Sequence, residues 1–151
     1  MIGCTEFIPA YSELFRALET RGGTAAVEAF WDFLAREYLG NLRDLVARHG
    51  IRGCWLYWSQ TLNEEAADFT MTLDEENGVF TIDMHACPSK GRLLAATHFA
   101  PYPDYCRHCD RLYRQVLDPL GYDYRLDLSR CGRAACRLEV RRRKRCTPAN
   151  E

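Results

Sequence analysis

Long apolar runs, internal repeats, low-complexity blocks and domain linkers are all missing from this 151-residue sequence. No stretch approaches the roughly 20 apolar residues that cross a membrane, so we expect no spanning segment. Residues 1–10 lack the basic region and apolar run of a secretory leader, which predicts a cytoplasmic protein. A chain of this length without a linker is predicted to form one domain over residues 1–151.

Net charge is also nearly absent, at −1, but the charges are unevenly placed. Residues 1–106 carry 8 basic and 15 acidic side chains, whereas residues 107–145 carry 12 and 5. The basic run 141–145 could be a nucleic-acid-binding tail. It has neither interleaved aromatic residues nor a recognition motif, so we interpret residues 143–151 as a basic tail after the last strand. The expected partner is a small molecule, with neither nucleic acid nor membrane.

The first third of the chain predicts two helices. Apolar residues recur at helical spacing within residues 9–19, and Gly22 and Gly23 follow as a stop. A second apolar stripe of period near 3.6 runs from Val27 to Val46 and ends at Gly50. We expect this long stripe to pack on a sheet, with a ligand-pocket lining as the alternative for its aromatic residues. Residues 1–50 form the predicted helical portion.

From residue 51 the pattern favours strands, because runs of strand-forming residues and alternating runs replace the helical stripe. The predicted strands cover residues 54–58, 69–73, 78–84, 122–128 and 136–142. Asn77 and Gly78 supply a tight hairpin turn. Two helices, at about 88–97 and 104–117, lie between the third and fourth strands. The predicted fold class is therefore α+β, with two N-terminal helices and an antiparallel sheet of about five strands over residues 51–142.

Eight cysteines in a cytoplasmic protein favour metal binding or catalysis over disulfides. Cys87 lies where a strand passes into a helix that begins at Pro88, so we expect the helix dipole to lower its pKa. It is a candidate nucleophile or metal ligand, or else a small buried side chain. His85, two residues earlier, is predicted to project to the same face as Cys87. It is a candidate base or ligand, with a structural hydrogen bond as the alternative.

Two further cysteine pairs follow. Cys106 and Cys109 are three residues apart on a predicted helix and can therefore face one ion. Cys131 and Cys136 flank a turn, and Cys136 is the better placed of the two. The sequence predicts a zinc site formed by Cys87, Cys106, Cys109 and Cys136, with Cys131 or His85 as a substitute. His108 is expected at the surface.

These residues resemble the L-2-amino-thiazoline-4-carboxylic acid hydrolase family. The resemblance covers residues 82–140 and consists of Cys87-Pro88, Cys106 on a helix, and Gly132 four residues before Cys136. The chain departs from the family pattern at Cys109, where aspartate is typical. A weaker likeness of the closing strand to 4-vinyl reductase-type sensor domains indicates a non-enzymatic alternative.

The resemblance implies a hydrolase that opens a small cyclic amidine or thioimidate carrying a carboxylate. Cys87 would attack the ring carbon while His85 passes protons, or a cysteine-bound zinc would activate water. Arg92, Arg107 or Arg111 could hold the carboxylate, with an ordinary surface charge as the alternative for each of them. The alternative function is a small-ligand-binding or sensory domain in which a cysteine-ligated zinc is structural.

Overall fold

A computed structural model describes residues 4–144 of the chain and the side chains of residues 6–144. The helices are α1 (Cys4–Tyr38), α2 (Gly40–His49), α3 (Ile51–Glu64), α4 (Pro88–Ala95) and α5 (Arg107–Leu117). The strands are β1 (Asp68–Asp74), β2 (Val79–Ala86), β3 (Tyr122–Asp127) and β4 (Cys136–Arg142). No helix in the described part of the chain is long and apolar enough to cross a membrane. Residues 145–151 of the predicted basic tail lie outside the described residues.

Helix α1 consists of two helical segments that meet at Gly22 and Gly23, where the sequence predicts a stop. Gly23 has a φ of 68°, a left-handed conformation that glycine adopts without steric cost. The predicted second helix is also interrupted. Leu39 leaves the helical conformation, with φ −95° and ψ 23°, and α2 begins at Gly40. The stripe from Val27 to Val46 is therefore divided between two helices.

The predicted strand over residues 54–58 is wrong, because these residues lie within α3. Ile51, Cys54 and Trp58 are buried, and their spacing of three and four residues places them on one helical face. Gly53 lets α3 approach α2 closely, since a Cβ atom there would lie 2.4 Å from the carbonyl oxygen of Leu45. Within residues 4–144, three helices therefore precede the sheet, and the sheet has four strands instead of five.

The four strands form one antiparallel sheet in the order β1-β2-β4-β3. The hairpin between β1 and β2 turns where it was predicted. Asp74 accepts the backbone N–H of Asn77 over 3.0 Å, and Gly78 has a φ of 65°. Helices α4 and α5 are inserted between β2 and β3. Strands β3 and β4 are joined by a turn over Cys131–Arg133.

The interior is divided into two clusters. The first, here called the sheet core, joins one face of the sheet to α2, α3 and α5; its largest buried members include Trp58, Phe80, Ile82, Tyr124 and Val140. The second, here called the helical core, consists of Phe15, Val27, Trp31, Ala35, Leu93, Tyr102, Tyr105 and Leu112. The predicted packing of the stripe on the sheet is correct for its α2 part, since Leu42 and Val46 belong to the sheet core. It is wrong for α1, which packs mainly on α4 and α5 because α3 and α5 already cover the sheet face.

Candidate functional site

Cys87 lies between β2 and α4, as its neighbour Pro88 predicts. The backbone N–H of Lys90 donates to Cys87 Sγ over 3.5 Å, so the thiol caps the first turn of α4. The backbone N–H of Cys87 donates to the carbonyl oxygen of Ala134 over 2.6 Å. Ala134 has a φ of 55°, a conformation that non-glycine residues seldom adopt. This bond fixes the strand-to-helix junction against the turn that precedes β4.

Four other cysteines, which belong to separate elements, lie around the same cavity as Cys87. Cys106 immediately precedes α5 and Cys109 lies in its first turn. Cys131 begins the turn before β4, and Cys136 is the first residue of β4, opposite Met84 of β2. All five thiols line one cavity of about 40 Å³, here called the thiol cavity. The remaining lining residues are Lys90, Leu126, Leu128, Ala134 and Ala135.

The thiol cavity contains all four predicted zinc ligands together with the predicted substitute Cys131. Its volume suffices for one small ion, since a single water needs only about 10–15 Å³. Thiolates are donors that zinc prefers. Within the described residues, however, no group of three or more histidine, cysteine, aspartate or glutamate side chains is arranged so as to hold a metal ion. The donor chemistry fits zinc, whereas the side-chain arrangement is not a formed coordination shell.

Burial sets the protonation of these thiols. Burial, together with the neighbouring cysteines, raises the pKa of Cys106 and of Cys136 to about 12. Burial and the carboxylate of Asp110 raise the pKa of Cys109 to about 12. In the absence of a cation these three thiols are therefore protonated at neutral pH.

The pKa predicted for Cys87 is wrong in direction. Burial raises the pKa of this thiol, and the N–H groups of α4, including that of Lys90, offset only part of the rise. The sequence placed the thiol at a helix N-terminus correctly, but it did not reveal how deeply the thiol is enclosed. Desolvation of the charged form therefore outweighs the helix-end effect.

His85 does not join the cluster. Strand residues alternate between faces, and Met84 is the one that points toward the sheet core. His85 is exposed on the other face of the sheet, where its Nε2 lies 2.8 Å from Thr70 Oγ1. The expectation that His85 and Cys87 share a face is wrong, because the β1–β2 register shifts at His85, an extra residue between Met84 and Ala86, and β2 ends at Ala86.

His108 was expected at the surface, but it packs among aromatic rings. Its ring centroid is 4.8 Å from that of Tyr105 and 5.7 Å from that of Tyr11. The Nδ1 atom contacts the carbonyl oxygen of Tyr105, and Nε2 lies 3.5 Å from Cys109 Sγ. Burial lowers the pKa of His108 to about 4, so the imidazole is neutral at physiological pH. No sequence motif marked this position, because the surrounding rings come from distant segments.

A larger cavity of about 290 Å³ adjoins the thiol cavity and is here called the aromatic cavity. Cys87, Cys109 and Cys136 line both. The aromatic cavity lies between the sheet core and the helical core; its aromatic and imidazole lining consists of Tyr11, Trp58, Tyr105, His108, Tyr113 and Tyr124.

The three arginines expected to hold a carboxylate line neither cavity. Arg111 donates to Asp32 over 2.5 and 2.8 Å and lies 2.9 Å from Glu28. Arg107 pairs with Asp104 over 3.3 Å, and Arg92 Nη1 lies 3.8 Å from Glu65. Arg107 and Arg111 are engaged in ion pairs, whereas Arg92 Nη1 is buried without a hydrogen-bond partner among the described residues. A bound carboxylate would find no arginine of residues 6–144 on the walls of either cavity.

Comparison with family models, curated proteins and solved structures gives no match for this chain. The resemblance of residues 82–140 to the aminothiazoline hydrolase family therefore stays a prediction.

Proposed function

We propose that this protein is a small-ligand-binding domain in which the thiol cavity holds one structural zinc ion. The observation that carries the proposal is the convergence of five cysteines from the β2–α4 junction, α5 and the β4 region on one cavity. Cys87, Cys106, Cys109 and Cys136 are the proposed ligands. Zinc would replace their protons, and its positive charge would offset the repulsion among the thiolates that this deprotonation creates. Its uptake requires the side chains to turn toward a common centre.

The adjoining aromatic cavity supports the ligand-binding part of this proposal. It is concave and mostly apolar, as small-molecule sites usually are. Cys87, Cys109 and Cys136 line both cavities. A zinc ion bound to these residues would therefore hold together three segments that also form part of the wall of the aromatic cavity. Metal binding and the shape of the ligand site would then be coupled.

Zinc analysis of protein purified under reducing conditions without added metal tests the proposal. We expect about one zinc per chain, and spectra of the cobalt-substituted protein should carry thiolate charge-transfer bands. Cys106→Ser, Cys109→Ser and Cys136→Ser should each lower both metal content and melting temperature, because binding and folding are coupled. Zinc should also be lost as the pH falls, since protons compete for the thiols.

Cys54→Ala is the matched control, because Cys54 is a buried thiol of the sheet core that lies outside both cavities. This variant should retain full zinc content. Folded protein that contains no metal, and whose four proposed ligands all react freely with a thiol reagent, would refute the zinc site.

The second candidate function is the hydrolase implied by the resemblance, with Cys87 as nucleophile. It is favoured by the position of Cys87, whose sulfur caps α4 and which lines both cavities. The raised pKa of Cys87, the outward position of His85 and the distant arginines weigh against it. For this reason we place ligand binding first.

An assay with L-2-amino-thiazoline-4-carboxylate separates the two functions. A hydrolase should open the ring, and Cys87→Ser should abolish turnover while Cys54→Ala leaves it intact. Zinc-loaded protein that shows no turnover above the uncatalysed rate would eliminate the hydrolase candidate and leave ligand binding standing.

A further inference from the structure

The aromatic cavity has two walls that belong to different parts of the fold. Trp58, Tyr113 and Tyr124 form a wall on the sheet side, with ring centroids of neighbouring pairs 5.0 and 6.0 Å apart. Tyr11 and Tyr105 form the opposite wall at the helical core, 6.2 Å apart and nearly perpendicular. A space enclosed by aromatic faces and edges favours a flat, unsaturated guest over a bulky aliphatic one.

The hydroxyl of Tyr124 is the exceptional polar group on these walls. Tyr124 is 1 % exposed, and its hydroxyl is buried without a hydrogen-bond partner among the residues that the structure describes. The hydroxyl of Tyr105, on the opposite wall, is satisfied by Ser89 Oγ at 2.6 Å. Buried polar groups almost always have a hydrogen-bond partner. A hydroxyl without one on a cavity wall therefore indicates that a bound molecule supplies the missing partner.

The charges around the cavity indicate a neutral ligand. Among residues 6–144, no lysine or arginine is part of its lining, and Glu65 is the single carboxylate there. Glu65 is exposed and lies 3.8 Å from Arg92. An anionic ligand would lose its hydration and gain no counter-charge, and a cationic one would meet a carboxylate that already faces an arginine.

The volume limits the size of the ligand. Small-molecule pockets usually measure roughly 300–1,000 Å³. At about 290 Å³ the aromatic cavity lies at the lower end of that range, which suits a molecule of one or two fused rings.

We propose that the aromatic cavity binds one neutral aromatic molecule of one or two rings, whose single polar group hydrogen-bonds to the Tyr124 hydroxyl. This inference rests on the ligand-binding part of the proposed function and names its ligand class. It does not require the thiol cavity to hold zinc.

Four molecules that share a naphthalene skeleton test this ligand class: naphthalene, 2-naphthol, 2-naphthoate and 2-naphthyltrimethylammonium. Binding is measured by calorimetry and by ligand-observed NMR on the full chain at neutral pH. 2-Naphthol should bind tightest, by about 2- to 10-fold over naphthalene, the factor expected for one net hydrogen bond. The two charged molecules should bind more weakly than naphthalene. Tighter binding of either ion than of 2-naphthol would overturn the proposal.

Tyr124→Phe isolates the hydroxyl. The variant should lose the 2- to 10-fold advantage of 2-naphthol while its affinity for naphthalene stays unchanged. Tyr122→Phe is the matched control, because Tyr122 lies two residues away on the same face of β3 but outside the aromatic cavity. An equal loss of 2-naphthol affinity in both variants would overturn the role of Tyr124.

Zinc content is measured on the same samples, so the two proposals can fail separately. Zinc-loaded, folded protein that binds none of the four molecules refutes the ligand class and leaves the zinc site intact. Metal-free protein that still prefers 2-naphthol through Tyr124 refutes the zinc site alone.

Discussion

The sheet core and the helical core are held together in different ways. In the sheet core, backbone polar groups are satisfied by strand pairing, and the buried side chains Phe80, Ile82 and Val140 are apolar. In the helical core, polar side chains join segments far apart in sequence. The backbone N–H of Tyr102 donates to buried Ser12 Oγ over 2.8 Å, and Arg16 donates to the carbonyl oxygen of Ala100 over 2.6 Å.

This contrast has a physical origin in the irregular segment between α4 and α5. An irregular segment cannot satisfy its backbone groups by strand or helix pairing, so side chains of α1 must do so. The sheet core should therefore be most sensitive to lost packing, and the helical core to lost polar contacts. The aromatic cavity lies where the two cores meet. One of its walls is therefore stabilised mainly by apolar packing, and the other mainly by polar contacts.

The largest effect that the comparison predicts is for Phe80→Ala. Phe80 is fully buried, and its ring is stacked on Trp58 with centroids 5.6 Å apart. Truncation leaves a cavity in the sheet core, which should lower the free energy of unfolding by about 3–5 kcal/mol. Urea denaturation measures this loss.

Thr70→Ala is the control for Phe80→Ala, since Thr70 lies on the exposed face of the same sheet. It removes only the exposed contact between Thr70 Oγ1 and His85 Nε2, so it should lower the free energy of unfolding by no more than about 1 kcal/mol. If Phe80→Ala cost less than a polar substitution in the helical core, the proposed contrast between the cores would be wrong.

A smaller effect is predicted for Ser12→Ala in the helical core. The substitution removes little volume but leaves the buried N–H of Tyr102 without its acceptor. An unsatisfied buried donor should lower the free energy of unfolding by about 1–3 kcal/mol. The exposed Thr20, whose hydroxyl bonds within α1 to the carbonyl of Arg16, gives a matched control in Thr20→Ala. Equal losses in the two variants would show that the Ser12 contact does not support the core.

The smallest effect concerns the ion pair between α1 and α5. Arg111 lowers the pKa of Asp32, and Gln115 adds a further hydrogen bond. Because the folded pKa lies below the ordinary value of about 3.9, the stabilisation is present above that pH and is lost as the pH falls through the lowered value. Both side chains are about a third exposed, so solvent screening limits the contribution to about 0.5–1 kcal/mol.

Acid titration of stability in the wild type and in Asp32→Asn measures this contribution. The variant should lose about 0.5–1 kcal/mol at neutral pH, and the difference should vanish in strong acid. Asp44→Asn is the control, because Asp44 lies 3.9 Å from Arg48 in an exposed pair outside both cores. A difference between wild type and Asp32→Asn that grows as the pH falls would contradict the assigned direction of the pKa shift.

Patterns of neighbouring residues predicted the strands of the first hairpin correctly. They did not predict the helix over residues 54–58. The alternation around Asn77 and Gly78 placed the first hairpin correctly, because one buried face imposes a period of two. The run from Cys54 to Trp58 was interpreted as a strand, since aromatic residues favour strands in general. Its helical form is imposed by contacts that no local pattern contains, including the close approach of Gly53 to Leu45.

In the candidate site, too, features set by neighbouring residues were predicted and features set by distant contacts were not. Pro88 marked the helix that Cys87 caps, and the three-residue spacing of Cys106 and Cys109 placed them together. Cys87, Cys106, Cys109 and Cys136, the zinc ligands predicted from the order of elements, line one cavity. The neutral state of His108 was missed, because its burial depends on Tyr11, which lies about a hundred residues away in sequence.

The sequence by itself determined the α+β class, the breaks at glycine and the positions of the cysteines relative to helix and strand ends, because these depend on neighbours along the chain. Only the tertiary structure decided the protonation of the thiols, the outward position of His85 and the unpaired hydroxyl of Tyr124. Burial and hydrogen bonding are sums over atoms brought from distant segments, and the fold alone sets which segments meet.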